Sequence, residues 1–122
     1  MSLDVYLKSA TPTKKECPHC GSEYEEREEF YWANITHNLG NMAEAAGVYK
    51  HLWRPEEINI TTAGQLIEPL KRAFLDMSAR PEHYKQFNSS NGWGLYDHFV
   101  LWVERYLDAC IENPEAEVYV SR

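Results

Sequence analysis

The sequence predicts an α+β fold in which a small antiparallel sheet, of about three strands, packs against three or four helices. Apolar residues alternate with polar ones near the N-terminus, they recur at helical spacing through the middle of the chain, and they alternate again at its end. With 122 residues, the chain has the usual length of one domain, and residues 1–122 are expected to form it.

The N-terminal segment predicts two strands that flank a polar loop. Leu3, Val5 and Leu7 alternate with polar or amphipathic residues, which is the period of a half-buried strand. Residues 9–24 are polar and contain a pair of cysteines, so they are expected to form a loop. Residues 29–35 are rich in β-forming side chains and predict the second strand. The acidic residues just before it are typical of a solvated sheet edge or hairpin arm.

The first helix is predicted to follow this strand. Thr36 can cap it, and apolar residues recur at three- and four-residue spacing through 39–46. Gly47 is suited to end it, because glycine readily adopts the left-handed conformation. A short turn over 48–53 is expected before Pro55.

Two further helical stripes precede a last strand. Thr62 and Gln65 have the spacing of a capping box, and Pro69 is expected to kink or restart the helix that follows. The stripe over 96–110 is the strongest in the chain. Val118–Val120 predicts a strand that returns to pair with an N-terminal strand, since two isolated strands would be marginally stable.

Composition narrows the classes of partner. The net charge of −7 disfavours nucleic acids and anionic lipid surfaces. No apolar run approaches the roughly 20 residues that span a bilayer, and the N-terminus lacks the pattern of a signal peptide. Three cysteines, an odd number, suit a reducing compartment. We therefore expect a cytoplasmic protein whose partner is a protein or a small molecule.

The most distinctive motif is Cys17-Pro18-His19-Cys20-Gly21. Two residues between cysteines can direct both sulfurs at one ion, as in a zinc knuckle, and zinc is the expected metal. A structural zinc site takes about four ligands, and this motif supplies two thiolates. The others would have to come from a second subunit or from another part of the chain, where the candidates are His37, His51, His83 and His98.

Two other interpretations of Cys17 and Cys20 remain open. They could be inert loop cysteines. The tetrapeptide also resembles the active site of the periplasmic disulfide oxidases of the thioredoxin class, in which the first cysteine caps a helix after a buried strand. Residues 13–16, which precede the motif, are not an apolar strand, and this disfavours the redox interpretation.

Polar residues between the second strand and the first helix form a candidate ligand site. His37 is expected in the first helical turn, where the helix dipole favours a neutral imidazole that can bind a ligand or act as a base. Asn34 and Asn38 could orient it or hold a polar ligand. The structural alternative is a helix cap whose histidine is satisfied by the backbone.

Three more residues are added to this candidate site. Arg54 could bind an anion and lies beside Trp53. A stacked tryptophan with a local salt bridge is the structural alternative. Trp93 stands between Gly92 and Gly94, so its loop could wrap a ligand or simply pack tightly.

Several of these runs together resemble a small family of bacterial and phage-encoded proteins of unknown function. They are Asn34–Leu39 (NITHNL), Leu52–Glu57 (LWRPEE), Asn91–Gly94 (NGWG) and Tyr106–Cys110 (YLDAC). The resemblance covers most of the chain from Asn34 onward and carries no established activity with it. It leaves out the cysteine loop, so a metal there need not belong to the family.

Three functions are compatible with the sequence. The first is a binding or accessory protein whose cysteine loop is ordered by zinc. The second is a small enzyme or ligand-binding domain built around His37, Asn34 and Asn38. The third is a structural subunit whose aromatic residues form an oligomer interface.

Overall fold

The computed structural model describes residues 2–122 and has the predicted α+β fold. In chain order its strands are β1 (Ser2–Lys8), β2 (Thr13–Glu16), β3 (Glu23–Glu26), β4 (Glu29–Thr36) and β5 (Glu117–Ser121). Its α-helices are α1 (Gly40–Ala45), α2 (Tyr49–Trp53), α3 (Ile67–Ala79), α4 (Pro81–Lys85) and α5 (Tyr96–Glu112). Single 3₁₀ turns occur at His37–Leu39, Pro55–Ile58 and Ala63–Leu66.

A three-stranded antiparallel sheet has the N-terminal strand at its centre. Its order is β4-β1-β5, so the last strand does return to pair with the first, as the sequence predicts. One face of β1 is fully buried through Leu3, Val5 and Leu7, because side chains alternate between the two faces of a strand. Helices α3 and α5 pack on each other, and α5 packs on β4.

The core lies between that face of the sheet and the helices. Phe99, Val103 and Tyr106 recur along α5 and are fully buried. Burial of each large apolar side chain contributes about 1.5–3 kcal/mol. The ring of Tyr106 also stacks on Tyr31 of β4, with centroids 5.8 Å apart. The 96–110 stripe therefore fixes the longest helix against the sheet.

The two boundary signals predicted around the first helix are present. Thr36 Oγ1 accepts a hydrogen bond from the backbone N–H of Asn38 at 3.3 Å. Gly47 has φ +78°, which is the left-handed conformation expected of a glycine that ends a helix. The helix between them begins with a 3₁₀ turn, and the segment predicted as a turn after Gly47 forms the short helix α2.

Pro69 marks a restart of helical structure. Gln65 Oε1 accepts hydrogen bonds from the backbone N–H groups of Thr61 and Thr62 at 2.7 and 3.0 Å, which fixes the 3₁₀ turn at Ala63–Leu66. The α-helix then begins at Ile67. Pro69 therefore lies in the first turn, where its missing N–H has no helical acceptor to lose.

The segment 9–24 differs from the predicted loop. Strands β2 and β3 form an antiparallel two-stranded sheet of their own, with the cysteine motif at the turn. Backbone contacts tie the base of this hairpin to the main sheet: Ser9 N–H donates to Glu28 O at 2.7 Å. Arg27 donates to the carbonyl oxygens of Ser9 and Ala10 at 2.8 and 2.7 Å. Among the described residues two of the five α-helices, α2 and α4, are only five residues long.

Over residues 2–122, none of the helices has the length and apolar character that a membrane crossing requires.

Candidate functional site

The principal candidate site is a cleft of about 670 Å³ where β4 ends beside the loop that leads into α5. We call it the Trp93 cleft. It is lined by Asn34 and Thr36 from β4, by Trp93 and Gly94 from the loop, and by His98 from the first turn of α5. Chain segments that are far apart in sequence therefore meet here around one cavity.

Trp93 is exposed although its backbone is held on both sides. Its side chain is 70% exposed. Its backbone N–H donates to Asn91 Oδ1 at 2.9 Å, and its carbonyl oxygen accepts from Asn38 Nδ2 at 3.0 Å. The indole is therefore presented to solvent from a fixed point, which is unusual for the largest apolar side chain.

Gly94 allows the loop that carries Trp93 to approach Thr36 and Asn38 closely. Its φ is +108°, and a Cβ built there would lie 3.0 Å from Asn38 Cβ and 3.4 Å from Thr36 Cγ2. No other residue could take this backbone conformation at this distance without displacing Asn38. Packing therefore explains why a glycine follows Trp93, but it does not explain why the indole of Trp93 is exposed.

The polar groups of the Trp93 cleft are suited to hydrogen bonding. Asn34 Nδ2 donates to Asp4 Oδ1 at 2.7 Å, so the amide is oriented and can offer its carbonyl oxygen and its second N–H to a ligand. His98 is exposed on the other wall and adds an imidazole. A few polar groups set in a mainly apolar wall are typical of a ligand-binding cleft.

His37 lies beside a second, more polar cleft of about 590 Å³, which it shares with Asn38. Its Nδ1 accepts a hydrogen bond from Trp53 Nε1 at 2.8 Å. Trp53 is 3% exposed, and its ring stacks on Tyr49 with centroids 5.3 Å apart. In the neutral imidazole the proton must then sit on Nε2, so the free side of His37 donates a hydrogen bond. This arrangement suits binding and opposes a role of Nδ1 as a base.

Arg54 does not join either group of residues. Its guanidinium donates to Glu57 Oε2 at 3.2 Å. Hydrogen bonds to Tyr49 and to Glu57 raise the pKa of Arg54, which stays charged. This is the local salt bridge that the sequence offered as the alternative to an anion site.

The predicted ligand residues therefore separate into three places. Asn34 and Trp93 line one cleft, and Asn38 connects it to the cleft of His37 through its hydrogen bond to Trp93. Trp53 is buried and donates its indole hydrogen bond to His37. Thr36, Gly94 and His98 belong to the Trp93 cleft but were not predicted. The glycine pair around Trp93 was a usable signal, whereas the sequence indicates Thr36 only as a helix cap and His98 only as a candidate zinc ligand.

The cysteine pair occupies the turn between β2 and β3. Cys17 N–H donates to Ser22 O at 2.8 Å, and Gly21 N–H donates to Cys17 O at 2.9 Å. Gly21 has φ +72°, as expected of the glycine after the second cysteine. Cys20 is exposed and Cys17 is half-buried. The hydrogen bond between Cys20 Sγ and the hydroxyl of Ser22, 3.2 Å long, lowers the pKa of the Cys20 thiol.

The part of the chain that the structure describes brings no further group of potential metal ligands to these thiols. Among residues 2–122 no three side chains of His, Cys, Asp or Glu come together in a metal-binding arrangement. The four histidines considered as further ligands from the same chain therefore do not converge on Cys17 and Cys20. The donors present, two thiolates in one turn, fit half of a tetrahedral zinc site.

The third cysteine has a different character. Cys110 is fully buried in α5 and forms part of the core. Burial raises the pKa of its thiol to about 12. It behaves as a small apolar side chain rather than as a nucleophile or ligand.

Comparison of the chain with family models, with curated proteins and with solved structures gave no match. The resemblance in the NITHNL, LWRPEE and NGWG runs therefore stays a prediction.

Proposed function

We propose that the protein is a binding or accessory protein that holds a ligand against Trp93. The observation that supports this most directly is the exposed indole of Trp93 on a backbone fixed by Asn38 and Asn91. Because the backbone that carries the indole is already held, little ordering of the loop is needed on binding, so the apolar surface of the ring contributes more fully to affinity.

The chemistry of the cleft favours a neutral or cationic ligand with a flat apolar face. Such a face can stack on the indole of Trp93, and a cation is further favoured by the ring quadrupole. Asn34 Oδ1 and the His98 imidazole can hydrogen-bond its polar edge. Asp4 lies next to Asn34 and the net charge of the chain is −7, so an anion is disfavoured. A small molecule and the side chain of a partner protein both meet this description.

A fragment screen by NMR tests this proposal. The probes are neutral and cationic aromatic fragments, and the readout is the indole Nε1–H resonance of Trp93, assigned by its loss in Trp93→Ala. We expect a subset of fragments to shift this resonance and to lose binding in Trp93→Ala.

Trp32→Ala is the matched control. Trp32 is 54% exposed and lies on the same face of β4 as Asn34, but it does not line the cleft. Fragments specific to the cleft should bind this variant as they bind the unchanged protein. Equal binding to both variants, or no binding by any fragment, would contradict the proposal.

A separate observation supports a second role, that of a metal knuckle at Cys17 and Cys20. Both four-residue strands of the β2–β3 hairpin are exposed at every position. A two-stranded hairpin without a buried face is marginally stable on its own, and a metal at its turn would supply order that packing does not. We propose zinc as this metal, and metal analysis of protein purified without chelator tests it. Absence of zinc would remove this role and leave the Trp93 cleft untouched.

A further inference from the structure

We infer that Cys17 and Cys20 form half of a zinc site that the same two cysteines of a second copy of this chain complete. The inference rests on the metal role proposed above and adds its partner. It predicts one Zn²⁺ bound by four thiolates between two chains, at the tips of two hairpins.

The hairpin offers fewer ligands than a structural zinc site requires. Structural zinc sites are four-coordinate, with Cys or His ligands. The hairpin supplies two thiolates, and no third donor of the chain joins them among the described residues. His19 sits inside the same turn, between the cysteines, where its side chain cannot readily bend back to an ion bound by both sulfurs. We therefore assign the missing ligands to another molecule.

The cysteine motif lies at the exposed tip of the hairpin, where a second chain can reach it. The hairpin strands are exposed throughout, and Cys20 at the turn is exposed. The base of the hairpin is held by Arg27, which donates to two backbone carbonyls of residues 9–10. The tip is thus accessible to a second molecule, while the base of the hairpin is held at the main sheet. A second copy brings the same turn, so a two-fold axis through the metal makes both halves equivalent.

The charge of the hairpins indicates that bound metal, rather than direct contact, holds the two copies together. Residues 13–26 contain four glutamates and two lysines, so two hairpin tips repel one another in the absence of metal. The tips are also small, and their contact falls short of the area that stable protein interfaces bury. Association should therefore depend on the metal. Binding forms four Zn–S bonds and releases the four thiol protons to solvent.

The test uses the full chain, stripped of metal with chelator and kept reduced with a phosphine. Co²⁺ and then Zn²⁺ are titrated in, and mass is followed by light scattering. We expect saturation at half an ion per chain, strong sulfur-to-cobalt charge-transfer bands of a tetrahedral tetrathiolate, and a doubling of mass from 14.2 kDa. Excess chelator should return the monomer.

Three variants make the test specific. Cys17→Ser and Cys20→Ser should lose both the half-ion stoichiometry and the dimer, while the helical signal of their circular dichroism should stay unchanged because the hairpin lies outside the core. His19→Ala should retain both properties.

Other outcomes would overturn the inference in distinguishable ways. One zinc per chain on a monomer, or loss of metal in His19→Ala, would overturn the shared site and leave a metal knuckle. No metal binding at all would overturn the knuckle as well.

Discussion

The indole nitrogen of Trp53 donates a hydrogen bond to Nδ1 of His37 at 2.8 Å, across sixteen positions of the chain. This contact joins helix α2 to the turn that follows β4. It fixes the tautomer of neutral His37, which precedes Asn38 in the chain, and Asn38 in turn holds the Trp93 backbone. The position of the exposed indole is therefore set from the core outward.

Replacing Trp53 by Phe should weaken this support. The variant keeps an aromatic ring against Tyr49 but removes the donor to His37, which costs about 1–2 kcal/mol of unfolding free energy. Urea denaturation measures it. In a His37→Ala background the same substitution should cost measurably less, because the hydrogen bond is already gone. Equal costs in the two backgrounds would show that the contact is not formed.

Gly94→Ala should destabilise the loop. The new Cβ would lie 3.0 Å from Asn38 Cβ at a φ of +108°, and the combined strain and clash should cost roughly 2–3 kcal/mol. Gly92 is the matched control, since its φ is +78° but a Cβ there meets nothing within 4 Å. Gly92→Ala should cost about 1 kcal/mol. The prediction is wrong if thermal or urea unfolding ranks the two substitutions the other way.

His51 should make stability fall on acidification. Burial, and to a lesser degree the charge of Arg72, lower the pKa of His51 from its model-peptide value of 6.5. The unfolded chain then binds a proton at this residue more readily than the folded chain, so stability rises with pH below and up to about 6.5. The stability that neutral His51 contributes is fully present above that pH and is lost as the pH falls through its lowered pKa.

His51→Gln removes this titration. Urea unfolding between pH 5 and 7.5 should show a shallower loss of stability on acidification in the variant than in the unchanged protein. Parallel curves would exclude His51 as a source of the pH dependence.

The three thiols should differ sharply in reactivity. In the reduced, metal-free protein a chromogenic disulfide reagent should modify two thiols, those of Cys17 and Cys20, at the hairpin turn. Cys110 should react only on unfolding, because it is buried and its pKa is about 12. Rapid reaction of a third thiol in the native state would show that the end of α5 opens, contrary to this packing.

The parts of the fold that the sequence predicts are those with a periodic apolar pattern. Leu3, Val5 and Leu7 specify a strand with one buried face, and the stripe over 96–110 specifies α5, because each pattern matches one period only. The hairpin strands β2 and β3 have no apolar face. Because buried and exposed residues do not alternate along these strands, the sequence predicts a loop here.

The candidate site was predicted only in part, for a related reason. Asn34 and Trp93 were each identified from their local context, but their meeting across the Trp93 cleft depends on how α5 packs against β4. Arg54 had equally suggestive neighbours and was engaged by Glu57 instead. Local spacing identifies polar joints between elements, and only tertiary packing decides which of them share a cavity.

The most direct measurement of the central claim is the dissociation constant of the tightest cleft-binding fragment for the unchanged protein and for Asn38→Ala, Trp93→Ala and Trp32→Ala. Removing Asn38 Nδ2 takes away one of the two hydrogen bonds that hold the Trp93 backbone without removing the indole, so affinity should fall by about three- to tenfold, the equivalent of one hydrogen bond. Binding should be lost in Trp93→Ala and unchanged in Trp32→Ala. Undiminished affinity in Trp93→Ala would contradict the account.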